Sequence, residues 1–225
     1  MTTAAQHLER LLDERRSCRA FLPQPVDEAT VERMLAMAQR SASWCNTQPW
    51  QVVLTCGEAT ARLRTAMQAA ARSSPAASDI PFPEAYEGQY LERRRACGMQ
   101  LYGAVGIDRH DRAAAQAQAL RNYDFFDAPQ VAVLLVPRSL GPYALVDCGG
   151  WIANFLLAAT ACGVAAVPQA ALARHSDVMR AHFGLADGLA VVCAIAFGYA
   201  DKQHPINGFR TVRAGLDQSV RRESA

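Results

Sequence analysis

From Gly149 to Val167 the chain runs almost without a polar interruption, so its fold must either hide that run from water or place it in a bilayer. Asn154 and Thr160 break the run, much of its mass is alanine, and Gly163 would end a helix. A helix from about Tyr143 to Cys162, central and buried on all sides, is therefore preferred to a membrane span. With 225 residues, the chain is long enough to build one well-buried domain around such a helix.

The remaining pattern mixes helices and strands without a regular β-α-β period. Thr3 to Glu14 reads as a short helix with Leu8, Leu11 and Leu12 on one face. Asp27 can cap a second helix whose apolar side is Val31, Met34, Leu35 and Ala38. Strand character is expected at Trp50 to Thr55, Val131 to Val136, Val164 to Val167 before Pro168, and Leu189 to Phe197. Further helices are expected at Glu58 to Ala71, Tyr86 to Val105, Asp111 to Arg121 and near Asp177 to Phe183. Arg72 to Pro83, rich in Ser, Ala and Pro, reads as a mobile loop. This irregular alternation favours an α+β sandwich over a doubly wound sheet.

Composition narrows the function. A formal net charge of +2 is too close to balance for a nucleic-acid binder, and Arg93-Arg94-Arg95 reads as a solvated helix face. Seven cysteines form no C-x-x-C pair, and most have small or apolar neighbours. Buried free thiols in a reducing cytoplasm fit them better than zinc ligands or disulfides. The start lacks an apolar secretory core.

Neither G-x-G-x-x-G nor a Walker pattern occurs, so any bound phosphate must be held by side chains. Three distant clusters suit that task. Arg15-Arg16-Ser17, with Arg19 close behind, and Arg210-Thr211-Val212-Arg213 offer guanidinium forks and hydroxyls that match phosphate oxygens. Between them, Asn46-Thr47-Gln48-Pro49-Trp50 offers two amides suited to a planar, doubly hydrogen-bonding ring. Alone, Arg15, Arg16 and Arg19 also read as cations ending an acidic helix. The five histidines are scattered, and His204 reads as a loop residue. Cys45 lacks an identifiable basic partner and reads as a plain thiol. Asp124 and Asp127, flanking Phe125-Phe126, read first as a loop cap, with an acid/base role left open.

These residues carry a resemblance. Glu14 to Phe21 followed by Pro25-Val26, then Ala38 to Trp50, Asp147 to Leu172, and Gly198-Tyr199 with Pro205 to Arg213 resemble, in that order, segments of the FMN-dependent, oxygen-insensitive nitroreductases. The resemblance spans about Leu8 to Val220. It implies a single domain over 1–225, with a central mixed β-sheet flanked by helices and a C-terminal segment reaching to the partner of a homodimer. A helical excursion at about 72–126 would form part of the substrate channel.

Carried over by position, Arg15, Ser17 and Arg213 would grip the FMN phosphate, and Arg16 and Arg19 would hold phosphate or the pyrimidine edge. Arg210 is a weaker phosphate candidate. Ser43, Asn46 and Gln48 would reach the ribityl chain and the ring from the partner subunit, with Pro168 and Gln169 along the ring. Trp44, Tyr123 and Phe125 are the expected substrate-pocket residues; Trp44 also reads as packing at the dimer seam. NADH or NADPH would donate hydride through the flavin to nitroaromatics, with no protein nucleophile. An enone or quinone reductase, a reductive dehalogenase, a flavin-binding protein without turnover and a cofactor-free interaction protein remain alternatives at this stage.

Overall fold

The computed structural model describes residues 2–223. The helices are α1 (Ala4–Glu14), α2 (Glu28–Ala38), α3 (Glu58–Ser73), α4 (Gly88–Ala104), α5 (Arg112–Leu120), α6 (Tyr143–Ala161) and α7 (Ser176–Phe183). The strands are β1 (Gln51–Cys56), β2 (Gln130–Pro137), β3 (Ala165–Gln169) and β4 (Leu189–Gly198). Local chemistry sets the helix starts. Thr3 and Gln6 form a reciprocal capping box on α1. The Asp27 carboxylate accepts the Thr30 N–H at 2.9 Å to open α2.

The four strands form one sheet in the order β1-β2-β4-β3, and every strand pair is antiparallel. The expected mixed sheet is therefore corrected. Parallel pairing among the described residues is confined to isolated bridges, Ser17 with Ala166 and Ala77 with His175.

Helices cover both faces. Along β2, Ala132, Leu134 and Val136 point into a core with α2 and α6, while Val131, Val133 and Leu135 point into another with α3 and α7. Because neither face meets water, β2 reads as a continuous apolar run although its neighbours are antiparallel. A register shift in β4 pairs Leu134 with Cys193 but Leu135 with Val191, leaving Val192 as the extra residue.

Helix α6 is not buried on all sides. Trp151, Phe155, Leu156, Ala158 and Ala159 pack inward, but Tyr143, Val146, Gly150 and Ala153 form an exposed stripe at helical spacing. Val146 is 70% exposed and Tyr143 66%. By length and composition α6 could cross a membrane, but its inner side is fixed to the sheet.

The segment expected to be a mobile loop is pinned instead. Asp79 pairs with Arg180 at 2.7 Å and with Arg138, and accepts the Val191 N–H at 2.8 Å. The Ala77 N–H donates to the Arg174 carbonyl at 2.7 Å. Beyond this anchor, α4 and α5 carry no buried residue, so this part of the helical excursion is loosely packed.

Candidate active site

Helix α1 ends at Glu14, and the chain then runs extended along β3. Ser17 bridges Ala166, and the Cys18 N–H donates to the Ala166 carbonyl at 3.2 Å. This brings the first arginine cluster alongside the strand that ends in Pro168-Gln169. Farther on, the Leu22 N–H donates to the Tyr199 carbonyl, and the Asp201 N–H to the Ala20 carbonyl. The N-terminal segment is thus stitched to the exit of β4.

The stitch that draws the two basic clusters together is Asn207, a residue the sequence did not single out. Its Oδ1 accepts the Arg19 N–H at 2.8 Å, and its Nδ2 donates to the carbonyls of Ala20 and Asp201, both at 2.9 Å. Asn207 is only 4% exposed, and all three bonds lie within the molecule. A lone Asn between Ile206 and Gly208 is a faint signal, because Asn is usually a turn residue.

Beside this staple lies a cavity of about 470 Å³ lined by Arg15, Arg16, Arg19, Arg210 and Arg213, with Ser17, Thr211 and Cys97. Five guanidinium groups therefore converge, and among the described residues none of them makes a salt bridge. Arg210 and Arg213 turn their donors back onto their own loop, to the Phe209 carbonyl and the Thr211 hydroxyl, each at 2.9 Å. Burial pushes the Arg19 guanidinium below its ordinary pKa. Such a set of like charges calls for a polyanion, and a phosphate monoester matches its donors. The reading of Arg15, Arg16 and Arg19 as unrelated surface cations does not fit their convergence.

The Asn-Gln loop does not line this cavity. It lies at the N-terminal end of α6, with Ser43 half-buried and Trp44 to Gln48 exposed. Cys45, Asn46 and Gln48 have φ of 51°, 54° and 48°. Each such non-glycine residue costs on the order of 1 kcal/mol or more, so the surroundings must hold the loop. Ser43 Oγ accepts the Gln48 N–H at 2.9 Å, and Asp147 accepts the Trp44 N–H at 3.2 Å. Gln39 takes the Trp50 indole N–H at 2.9 Å and donates to Gln48 Oε1 at 3.2 Å. The 64%-exposed Trp44 sets its ring edge-on to Tyr143, joining the exposed stripe of α6.

Pro168 and Gln169 end β3. Gln169 is buried; its Nε2 donates to the Asn122 carbonyl at 2.9 Å, while its Oε1 has no protein partner. Tyr123 is half-buried, edge-on to His175, which burial holds below its usual pKa. Phe125 is corrected: at 0% exposure, beneath the Arg64 guanidinium, it belongs to the core and lines no pocket. Phe125, Phe126 and Asp127, at φ of 62°, 54° and 65°, turn both rings inward.

Asp124 and Asp127 serve that turn. Asp124 accepts the Phe126 N–H at 2.9 Å, and Arg121 pairs with both carboxylates. Burial pushes the Asp124 carboxyl up, whereas the Arg121 hydrogen bond holds that of Asp127 down. His204 Nδ1 accepts the Ile206 N–H, the loop role expected of it. All seven cysteines are free, but only Cys18, Cys148 and Cys193 are buried, fewer than composition suggested.

Comparison with known proteins places the chain as a whole. The sequence pattern of the Nitroreductase family matches residues 12–199. Nitroreductase NfnB of Mycolicibacterium smegmatis is 37% identical over 218 residues, 96% of this chain and 93% of that protein. A 4-nitrobenzoate reductase of Pseudomonas putida is 29% identical, covering 95% and 94%. The crystal structure of the FMN-dependent nitroreductase NfnB from Mycobacterium smegmatis in complex with NADPH superposes with a TM-score of 0.94 at 36% identity, covering 99% of this chain and 100% of that one. An FMN- and NADPH-dependent NfnB from a Sphingopyxis strain gives 0.92 at 33% identity, covering 96% and 99%. Matched over residues 12–199 by the family pattern and over 96% of its length by a relative of 37% identity, the chain belongs to the nitroreductase family.

Proposed function

We propose that the protein is an FMN-dependent NAD(P)H oxidoreductase that reduces nitroaromatic compounds. The observation that carries this reading is the cavity where five arginines and Ser17 converge, with Asp13 the single carboxylate on its lining and no salt bridge to any of the five among the described residues. Arg15, Ser17 and Arg213 hold the FMN phosphate, Arg16 and Arg210 add positive charge, and Arg19 faces phosphate or the pyrimidine edge. Ser43, Asn46 and Gln48 close over the ring from a second subunit, beside Pro168 and Gln169. When bound, FMN supplies the two-electron chemistry between NADH or NADPH and the nitro group. The protein's part is to bind, orient and exclude water, and donors at the pyrimidine edge favour negative charge there. No protein nucleophile is required.

The stripe Tyr143, Val146, Gly150 and Ala153 supports a homodimer, because it is an apolar face that a second copy would cover. Leu8 and Leu12 on α1, and Val212 and Leu216 in the C-terminal segment, are further exposed apolar residues, and the latter two suit a tail that reaches the partner. We assign the substrate channel to the loosely packed segment at 72–126, with Tyr123 and Trp44 at its walls. Seven unpaired thiols support a cytoplasmic location.

The test is cofactor retention. Arg15→Ala and Arg213→Ala each remove a charge-assisted bond of about 1.5–3 kcal/mol, which is roughly 10- to 150-fold in FMN affinity. Both variants should lose the yellow colour on gel filtration. Full retention by both refutes the assignment.

A further inference from the structure

We infer that Asp147 is a positioning residue, which holds the loop 43–48 in the strained conformation that presents Asn46 and Gln48 to a flavin. The inference rests on the FMN reading above and deepens it.

The loop carries three non-glycine residues in the left-handed region, yet every residue from Trp44 to Gln48 is exposed. An exposed loop with that backbone would relax if left to itself, because no packed core opposes the change. Its restraints are few and identifiable. At its C-terminal end, Ser43 Oγ accepts the Gln48 N–H, and the Gln39 amide ties Gln48 Oε1 to the Trp50 indole. Internal bonds run from the Asn46 N–H to the Ser43 carbonyl at 3.0 Å and from the Thr47 N–H to the Trp44 carbonyl at 3.1 Å.

At the N-terminal end, the side-chain anchor is Asp147. Both of its carboxylate oxygens lie within reach of the Trp44 N–H, at 3.2 and 3.3 Å. This contact crosses 103 residues of sequence and ties the loop to α6, whose inner side packs Ala144, Cys148, Trp151 and Phe155 into the core shared with α2. The tie falls immediately before the two left-handed residues Cys45 and Asn46, where a released peptide would flip first. Trp44 resting edge-on against Tyr143 keeps the same peptide in register.

Asp147 touches neither cavity nor ring in this arrangement. It acts through the Trp44 peptide, so an acceptor oxygen at this position, rather than a negative charge, is what the loop requires.

The experiment compares wild type, Asp147→Ala and Asp147→Asn, each stripped of flavin and titrated with FMN by fluorescence quenching. Melting temperature and gel-filtration volume are recorded alongside. Asp147→Ala should weaken FMN binding about tenfold, while its elution volume stays that of wild type. Asp147→Asn keeps an acceptor for the Trp44 N–H and should restore affinity to within about twofold. Three results overturn the inference: unchanged affinity in Asp147→Ala, equal loss in both variants, or loss that accompanies dissociation of the assembly. A wild-type chain that takes up no FMN overturns the cofactor reading, and this inference with it; wild-type binding that Asp147→Ala leaves unchanged counts against Asp147 alone.

Discussion

Replacing Asn207 with Ala probes how the basic cavity is built, because the side chain sits behind the lining and holds it through the Arg19 N–H. Three hydrogen bonds are lost at once. Their cost differs by partner. The Ala20 carbonyl keeps the Asp201 N–H at 3.0 Å, and Asp201 is half-exposed, so water can reach its carbonyl. The Arg19 N–H has no second partner among the described residues. An orphaned donor costs about 1–3 kcal/mol and each exchanged bond about 0.5–1.5, so Asn207→Ala should destabilise the fold by roughly 2–4 kcal/mol.

For a domain of this size that is a fall in melting temperature of roughly 5–15 °C. The same change frees the segment carrying Arg210 and Arg213 from the one carrying Arg15, Ser17 and Arg19. FMN affinity should therefore drop at least tenfold even well below the melting point. Differential scanning fluorimetry and a flavin titration at 15 °C read the two effects separately. A variant that melts within 1 °C of wild type and binds FMN equally well would refute the coupling of the two clusters through Asn207.

Two further outcomes are expected. Burial alone would raise the Asp79 carboxyl, but the Val191 N–H and the two arginines outweigh it and hold the group below the usual aspartate range. A depressed folded value contributes stability above about pH 4 that is lost as pH falls through that value. Asp79→Asn should thus cost about 3 kcal/mol at pH 7 and flatten the acid limb of the stability curve, as followed by urea unfolding between pH 3 and 7. On α6, Val146→Glu places a charge in the middle of the exposed stripe; on the proposed homodimer, light scattering should report a monomer for the variant and a dimer for wild type, and the variant should lose FMN.

Most of the framework could be read from the sequence because each helix and strand faces one consistent environment. β2 is apolar throughout because helices cover both its faces, and Asp27 announces α2 by its cap. Pro168 misled only slightly. It was expected to stop the third strand but lies within it, since β3 pairs with β4 on one side and a missing N–H is tolerated at an edge.

What was hidden depends on contacts between distant residues. Gly150 and Ala153 look identical in sequence whether they face a core or an exposed surface. Phe125 between two aspartates suggested a pocket wall, yet the left-handed turn that buries it has no sequence mark. Asp79, Asp147 and Asn207 each act on backbone groups contributed by remote segments, and no spacing pattern reveals such partners. The arginines were legible as a group because phosphate chemistry restricts which side chains can serve it.

The Arg19–Asn207 bond closes a loop of 188 residues. During synthesis, then, the leading edge of the pocket must wait for nearly the entire remainder of the polypeptide to leave the ribosome. Contacts of such long range form late, so a nascent or prematurely terminated product would present loose cationic ends in place of a nucleotide cradle. Uptake of the coloured cofactor would then double as a completion signal, marking only molecules whose two ends have met.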